Sequence, residues 1–223
     1  AYGGSGFSDA DHNPWGCKAI LDRTGNFVYV VSQTAVNGSD NILLSKINVT
    51  NGAEVWTRII GDGGSEQPRD IVLTDNGVAL LGNSNGYSVA AGAAPGLNTS
   101  MGERDILLVK VDDLGNKVWA RTYGAEERDK GIGLRHNDDG SFLISAYTSS
   151  PYFGNTDISM DPLFIRTDSL GLVSCQVYSP SLSVQPYTLT ATTSGVANAI
   201  SVSSFPSGST ITDYTPSDSY QCL

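Results

Sequence analysis

Positive charge is scarce in this chain. Thirteen Lys and Arg stand against twenty-three Asp and Glu, a formal net charge of −10, and the basic residues nowhere cluster. A nucleic-acid ligand needs a phosphate-neutralising patch, so that class of partner is excluded. Histidine is scarcer still: His12 and His136 are the only two in the sequence. Neither belongs to a Gly-x-Ser-x-Gly elbow or a His-Glu-x-x-His helix, so the residues point away from an enzyme. No apolar run approaches the roughly 18 residues of a membrane-spanning helix. Cysteine is limited to Cys17, Cys175 and Cys222.

Glycine and short β-favouring runs are what the chain has in quantity. Gly occurs 25 times and only 16% of residues are charged, while Val, Ile, Thr and Ser runs are cut by Asn-Gly and Asp-Gly pairs. That is the profile of an all-β protein with tight turns. The runs also repeat. Asn41-Ile42-Leu43-Leu44-Ser45-Lys46 returns as Asp105-Ile106-Leu107-Leu108-Val109-Lys110 and, more loosely, as Asp161-Pro162-Leu163-Phe164-Ile165-Arg166. Gly52 with Trp56 and Arg58 returns as Gly115 with Trp119 and Arg121, then as Gly171 with Cys175. A period of roughly 60 residues marks a repeat architecture.

Each repeat reads as four strands: 17–22, 27–33, 42–48 and 55–60 in the first; 70–74, 78–82, 105–112 and 118–123 in the second; 131–135, 141–147, 163–167 and 173–178 in the third. Gly25, Gly77 and Gly140 fall between first and second strands, and Gly52, Gly115 and Gly171 between third and fourth, where a hairpin turn demands positive φ. The units span 1–60, 61–122 and 123–178, followed by a Ser/Thr-rich β segment, 179–223, expected to cap the last repeat. The tail should hold strands over 182–192, 197–205 and 209–214. Long loops separate second and third strands, the middle one, 83–104, being small-residue-rich. The chain opens at Ala1 with neither Met nor a signal-like stretch, and Ala1-Tyr2-Gly3-Gly4 resembles Thr122-Tyr123-Gly124-Ala125. A start at a repeat boundary reads as a processed form.

The run Leu114-Gly-Asn-Lys-Val-Trp-Ala-Arg-Thr-Tyr-Gly124, with Tyr2-Gly3-Gly4 and the Asp-x-Leu-Leu-x-Lys strand, resembles the secreted tandem-repeat β-propeller-like surface proteins of the Bacteroidetes type. The resemblance covers about residues 1–175 and implies blades of four antiparallel strands, of kelch-like length, in a secreted or cell-surface protein. It carries no shared activity. The group's final Gly-x-x-x-Cys and terminal Cys match Gly171, Cys175 and Cys222. Asn48 departs from it, standing where the other units carry Asp112 and Asp168. Propellers close with four to eight blades, so three repeats need a longer precursor, the tail, or further copies to complete a ring.

Several residues are singled out by chemistry. Cys175 and Cys222 bracket the tail, and a bridge between them would close a loop of about 50 residues, worth about 4 kcal/mol; Cys17 is then left over, either available for an intermolecular bridge or, the leading expectation, buried in the first strand. Asn37, Asn48 and Asn98 head Asn-x-Ser/Thr sequons and are possible glycosylation sites. Trp15, Tyr87, Tyr152 and Phe153, with Tyr147, lie on or near loops and can form a glycan-binding platform. Asp9, Asp11 and Asn13 place oxygen ligands at alternate positions, as calcium loops do, without the glycine and distal Glu of the helix-loop-helix motif. Calcium is therefore a weak expectation, and no cofactor is expected. Trp56 and Trp119 recur at one strand position, which assigns them to blade packing rather than to sugar stacking. The rows Lys46/Lys110/Arg166, Arg58/Arg121 and Asn41/Asp105/Asp161 read as repeated polar pairs between repeats.

The leading expectation is a non-enzymatic extracellular structural protein that associates with itself or other surface proteins. A glycan-binding adhesin is the alternative, and a propeller hydrolase or lyase the third.

Overall fold

The computed structural model describes residues 2–3, 17–36, 39–61, 64–85, 104–124, 127–151, 160–173, 183–187 and 190–191. Among them there is no α-helix, and every sheet is antiparallel. The strands in chain order are β1 (Tyr2–Gly3), β2 (Lys18–Leu21), β3 (Phe27–Val36), β4 (Ser39–Asn48) and β5 (Glu54–Gly61). They continue with β6 (Ser65–Leu73), β7 (Val78–Asn85), β8 (Asp105–Val111) and β9 (Lys117–Tyr123). Last come β10 (Asp129–His136), β11 (Phe142–Thr148), β12 (Asp161–Arg166), β13 (Ser183–Pro186) and β14 (Thr190–Ala191). Strands β2 to β5, β6 to β9 and β10 to β12 form three successive meanders, each strand paired with its chain neighbour. None of these sheets closes on itself.

The turns follow from their residues. All six expected turn glycines have positive φ, from 69° at Gly52 to 91° at Gly77. Before most of them stands an acid or amide whose carbonyl receives the glycine N–H: Asp22 for Gly25, Asp112 for Gly115, Asn137 for Gly140, Asp168 for Gly171. The Asp112 Oδ1 also accepts the Leu114 and Asn116 N–H groups, and Asp168 Oδ1 those of Leu170 and Leu172. A short acidic side chain that folds back on its own backbone is what selects Asp here. Bulges repeat as well. One lies between Pro68 and Asp70 and one between Gly131 and Gly133; another pair faces Lys46/Ile47 and Lys110/Val111.

Side-chain alternation makes the middle sheet a filling between two others. On β7, Val78 and Leu80 join one core with Tyr29, Val31, Ile42, Leu44, Trp56 and Ile60 of the first sheet. Ala79 and Leu81 point the other way, into a core with Leu134, Phe142, Ile144 and Ala146 of the third. On β8, Leu107, Val109 and Val111 serve the first core, Ile106 and Leu108 the second. A strand buried on both faces reads as a continuous apolar run rather than an alternating one, and Asp105–Val111 reads that way.

Two expectations are corrected. The tail strand packs on the first unit, not the last: β13 pairs with β5, Val184 opposite Ile60. The unpaired edge of β5 offers free backbone groups that a passing strand satisfies, and Val184 packs against the first core. Within the expected strand 182–192, β13 pairs with β5 and β14 with β1. Cys17 is exposed rather than buried, and its thiol is free. It precedes β2, an edge strand with only β3 beside it, whose Lys18 and Ala19 are also exposed. Beyond Val173, the fourth strand expected over 173–178 lies outside the described residues, as do the tail strands 197–205 and 209–214.

Candidate functional site

The junctions between sheets are the most constructed places in the molecule. At the first, the β5 residues Trp56 and Arg58 clasp the β8–β9 turn. Trp56 Nε1 donates to Asp113 O at 3.0 Å, Arg58 Nε to Gly115 O at 3.0 Å and Arg58 Nη2 to Leu114 O at 2.9 Å. Lys46, almost fully buried, reaches the Asp113 carboxylate at 2.6 Å while lying over the Phe27 and Tyr29 rings. The Tyr29 hydroxyl donates to the same carboxylate. The Lys46 and Tyr29 hydrogen bonds hold Asp113 below its ordinary value, and burial with Asp113 beside it raises Tyr29. At the second junction the same positions act again: Trp119 and Arg121 lie against Gly171, where a Cβ would meet both at 3.0 Å, and Tyr123 donates to Gly171 O at 2.8 Å.

A second recurrent feature is an oxygen pair over a glycine. A Cβ at Gly61 would lie 2.0 Å from Asn41 Oδ1 and 2.5 Å from Glu66 Oε2. At Gly124 it would lie 2.0 Å from Asp105 Oδ1 and 3.0 Å from Asp129 Oδ2. In each pair a serine donates to the acid of the following sheet: Ser84 to Glu66 Oε1, Ser150 to Asp129 Oδ2, both 3.1 Å. Burial, with Asp129 adding to it, pushes the Asp105 carboxyl up to about 8. Asn41 and Asp105 thus sit at the junctions, whereas Asp161 is exposed at the start of β12.

The third sheet presents its far face. On β12, Phe164 takes the strand position held by Leu44 and Leu108, which are fully buried; Phe164 is 71% exposed. Ser145 pairs with it across β11, flanked on the same face by Leu143, 39% exposed, and Tyr147, 42% exposed. Arg166 holds the place of Lys46, but turns back to Asp139 of its own sheet at 2.6 Å. Ser141 and then Arg166 hold Asp139 down at about 2.

The other candidates fare as follows. Asn48 ends β4, and its Oδ1 accepts the Thr50 and Asn51 N–H groups, the turn task that Asp112 and Asp168 perform elsewhere. Tyr147 is the one described member of the aromatic set. Trp15, Tyr87, Tyr152, Phe153, Asn37, Asn98, Asp9, Asp11, Asn13, His12, Cys175 and Cys222 lie outside the described residues. His136 lies beside Phe142, ring centroids 4.9 Å apart with the planes tilted by 36°. Asp112, Asp113 and Asp139 are engaged in the bonds above, and no group of three metal-ligating side chains occurs among the described residues. Among them, too, no helix is long and apolar enough to cross a membrane. The carboxyl pair at Gly124 escaped the sequence reading, which placed Asp105 in a row but had no means of setting Asp129 opposite it. The glycines five residues before Glu66 and Asp129 were the available signal.

No protein-family model matches this chain, and comparison with curated proteins finds no match.

Proposed function

We propose that this chain is a non-enzymatic structural protein of the cell exterior, its meanders serving as blades of a propeller-like array that is completed by association with further copies or other surface proteins. The observation that carries the reading is the far face of the third sheet. At two successive junctions the corresponding face is covered by a following sheet, and its central residue is a fully buried Leu. On the third sheet the same position is an exposed Phe, with Leu143 and Tyr147 beside it. An apolar sheet face of this kind gains roughly 25 cal/mol for each Å² it covers. The junction chemistry supports a scaffold too: the Trp and Arg side chains that resemble binding-site residues are consumed in holding turns.

Light scattering coupled to size separation, over a range of concentrations, tests this. The wild-type chain is expected to associate, and Phe164→Asp to shift the population towards the monomer. A wild-type chain that stays monomeric throughout would sink the proposal.

A further inference from the structure

The two oxygen pairs differ in one atom's chemistry. At the first junction the partner of Glu66 is an amide, Asn41, which cannot ionise; at the second the partner of Asp129 is a carboxyl, Asp105. Asp105 is 2% exposed, and its Oδ1 makes no hydrogen bond. That oxygen and Asp129 Oδ2 flank the Cβ point of Gly124 at 2.0 and 3.0 Å, so they are at most the sum, about 5 Å, apart. Two carboxylates this close and this dry cannot both be ionised without a large cost.

We propose that a single proton held by the Asp105 and Asp129 pair keeps the second and third sheets joined, which makes this junction an alkali-sensitive seam. Arg104, the residue before Asp105, directs Nη1 to Gln67 Oε1 at 3.0 Å, and its carbonyl accepts the Asp129 N–H. Arg128 precedes Asp129 and is exposed. Ser84, opposite Asp105 on β7, donates to Glu66 of the first junction. Ser150 donates to Asp129 Oδ2 at 3.1 Å, whereas Asp105 Oδ1 receives no hydrogen bond. After burial, the charge of Asp129 is what raises Asp105 among the described residues. Burial lifts the Asp105 carboxyl to about 8, from an ordinary value of 3.8.

A carboxyl whose folded value lies above its unfolded one gains a proton on folding between the two. Stability therefore falls as pH climbs through that window and levels off above the folded value. Seam one supplies the control within the same molecule, since Asp105→Asn rebuilds the second pair with the side chain that Asn41 already provides.

Denaturant unfolding of the full chain from about pH 5 to about pH 9 is the experiment. Wild type is expected to lose stability across this range with a slope of one proton beyond that of the variant, and Asp105→Asn to lose that component and exceed wild type at the alkaline end. Equal slopes in the two chains overturn the proposal. Should the variant fail to fold, infrared spectra of the wild-type chain carrying isotope-labelled aspartate decide instead. A protonated aspartate band at neutral pH that vanishes above about pH 8 supports the shared proton, and no such band at neutral pH refutes it.

Discussion

Neither Gly61 nor Gly124 has a positive φ, so their necessity is spatial rather than conformational. Their missing Cβ leaves room for an oxygen that would otherwise be 2.0 Å away. Gly25 is the opposite case, with φ of 72° and nothing within 4 Å of its absent side chain. The two kinds respond differently to one methyl group. Gly124→Ala forces the Asp105 and Asp129 side chains away from the new methyl group and is expected to cost about 1–3 kcal/mol, as overpacking does. Gly25→Ala pays only the left-handed backbone penalty of about 1–2 kcal/mol. Chemical denaturation measures both. A Gly124→Ala chain as stable as wild type would show that the pair is not tightly seated. The two expected costs overlap, so the diagnostic outcome is a pH dependence altered only in Gly124→Ala. Of these positions, the turn glycines were legible in the sequence because a Gly recurs at matching places between the strands of each unit. The seam glycines were not, because what crowds them comes from other strands.

Among the elements, β13 is the one whose position no local pattern announced. It adds a fifth strand to the first sheet through backbone hydrogen bonds, which any extended segment can make, and through Val184, which packs on the first core. Val184→Asp puts a charge against that core and is expected to destabilise by about 1–3 kcal/mol. Hydrogen exchange should then quicken at the β5 amides facing β13 while the β3–β4 ladder stays protected. Unchanged protection along β5 would argue against the pairing. The meanders themselves were legible: short loops with turn residues force chain neighbours to pair. The bulges at Pro68/Asp70 and Gly131/Gly133 were not, since a bulge is a relation between two strands.

For the molecule as a whole, the order of burial predicts an order of stability. The middle sheet is covered on both faces, the first has its outer strand covered by β13, and the third presents Phe164 and Leu143 to solvent. Local opening should therefore begin at β12 and reach β7 and β8 last. Native-state hydrogen exchange reads this directly, and β8 amides exchanging as fast as those of β12 would contradict it. Association through the far face of the third sheet should slow exchange at β12 as concentration rises, which links this gradient to the proposed function.

The sequence by itself determined the all-β class, the three repeats, the six turns and the strand rows, because turn chemistry and alternation act between residues near in the chain. It also showed that Trp56, Trp119 and the basic rows recur, which marks them as scaffold. Only the tertiary structure decided which rows meet. Lys46 finds Asp113, Arg166 finds Asp139 in its own sheet, β13 returns to the first unit, and Asp105 is left dry beside Asp129. Each of these depends on how one sheet lies against another, and a side chain's partners and hydration there are set by distances that no local stretch of sequence encodes.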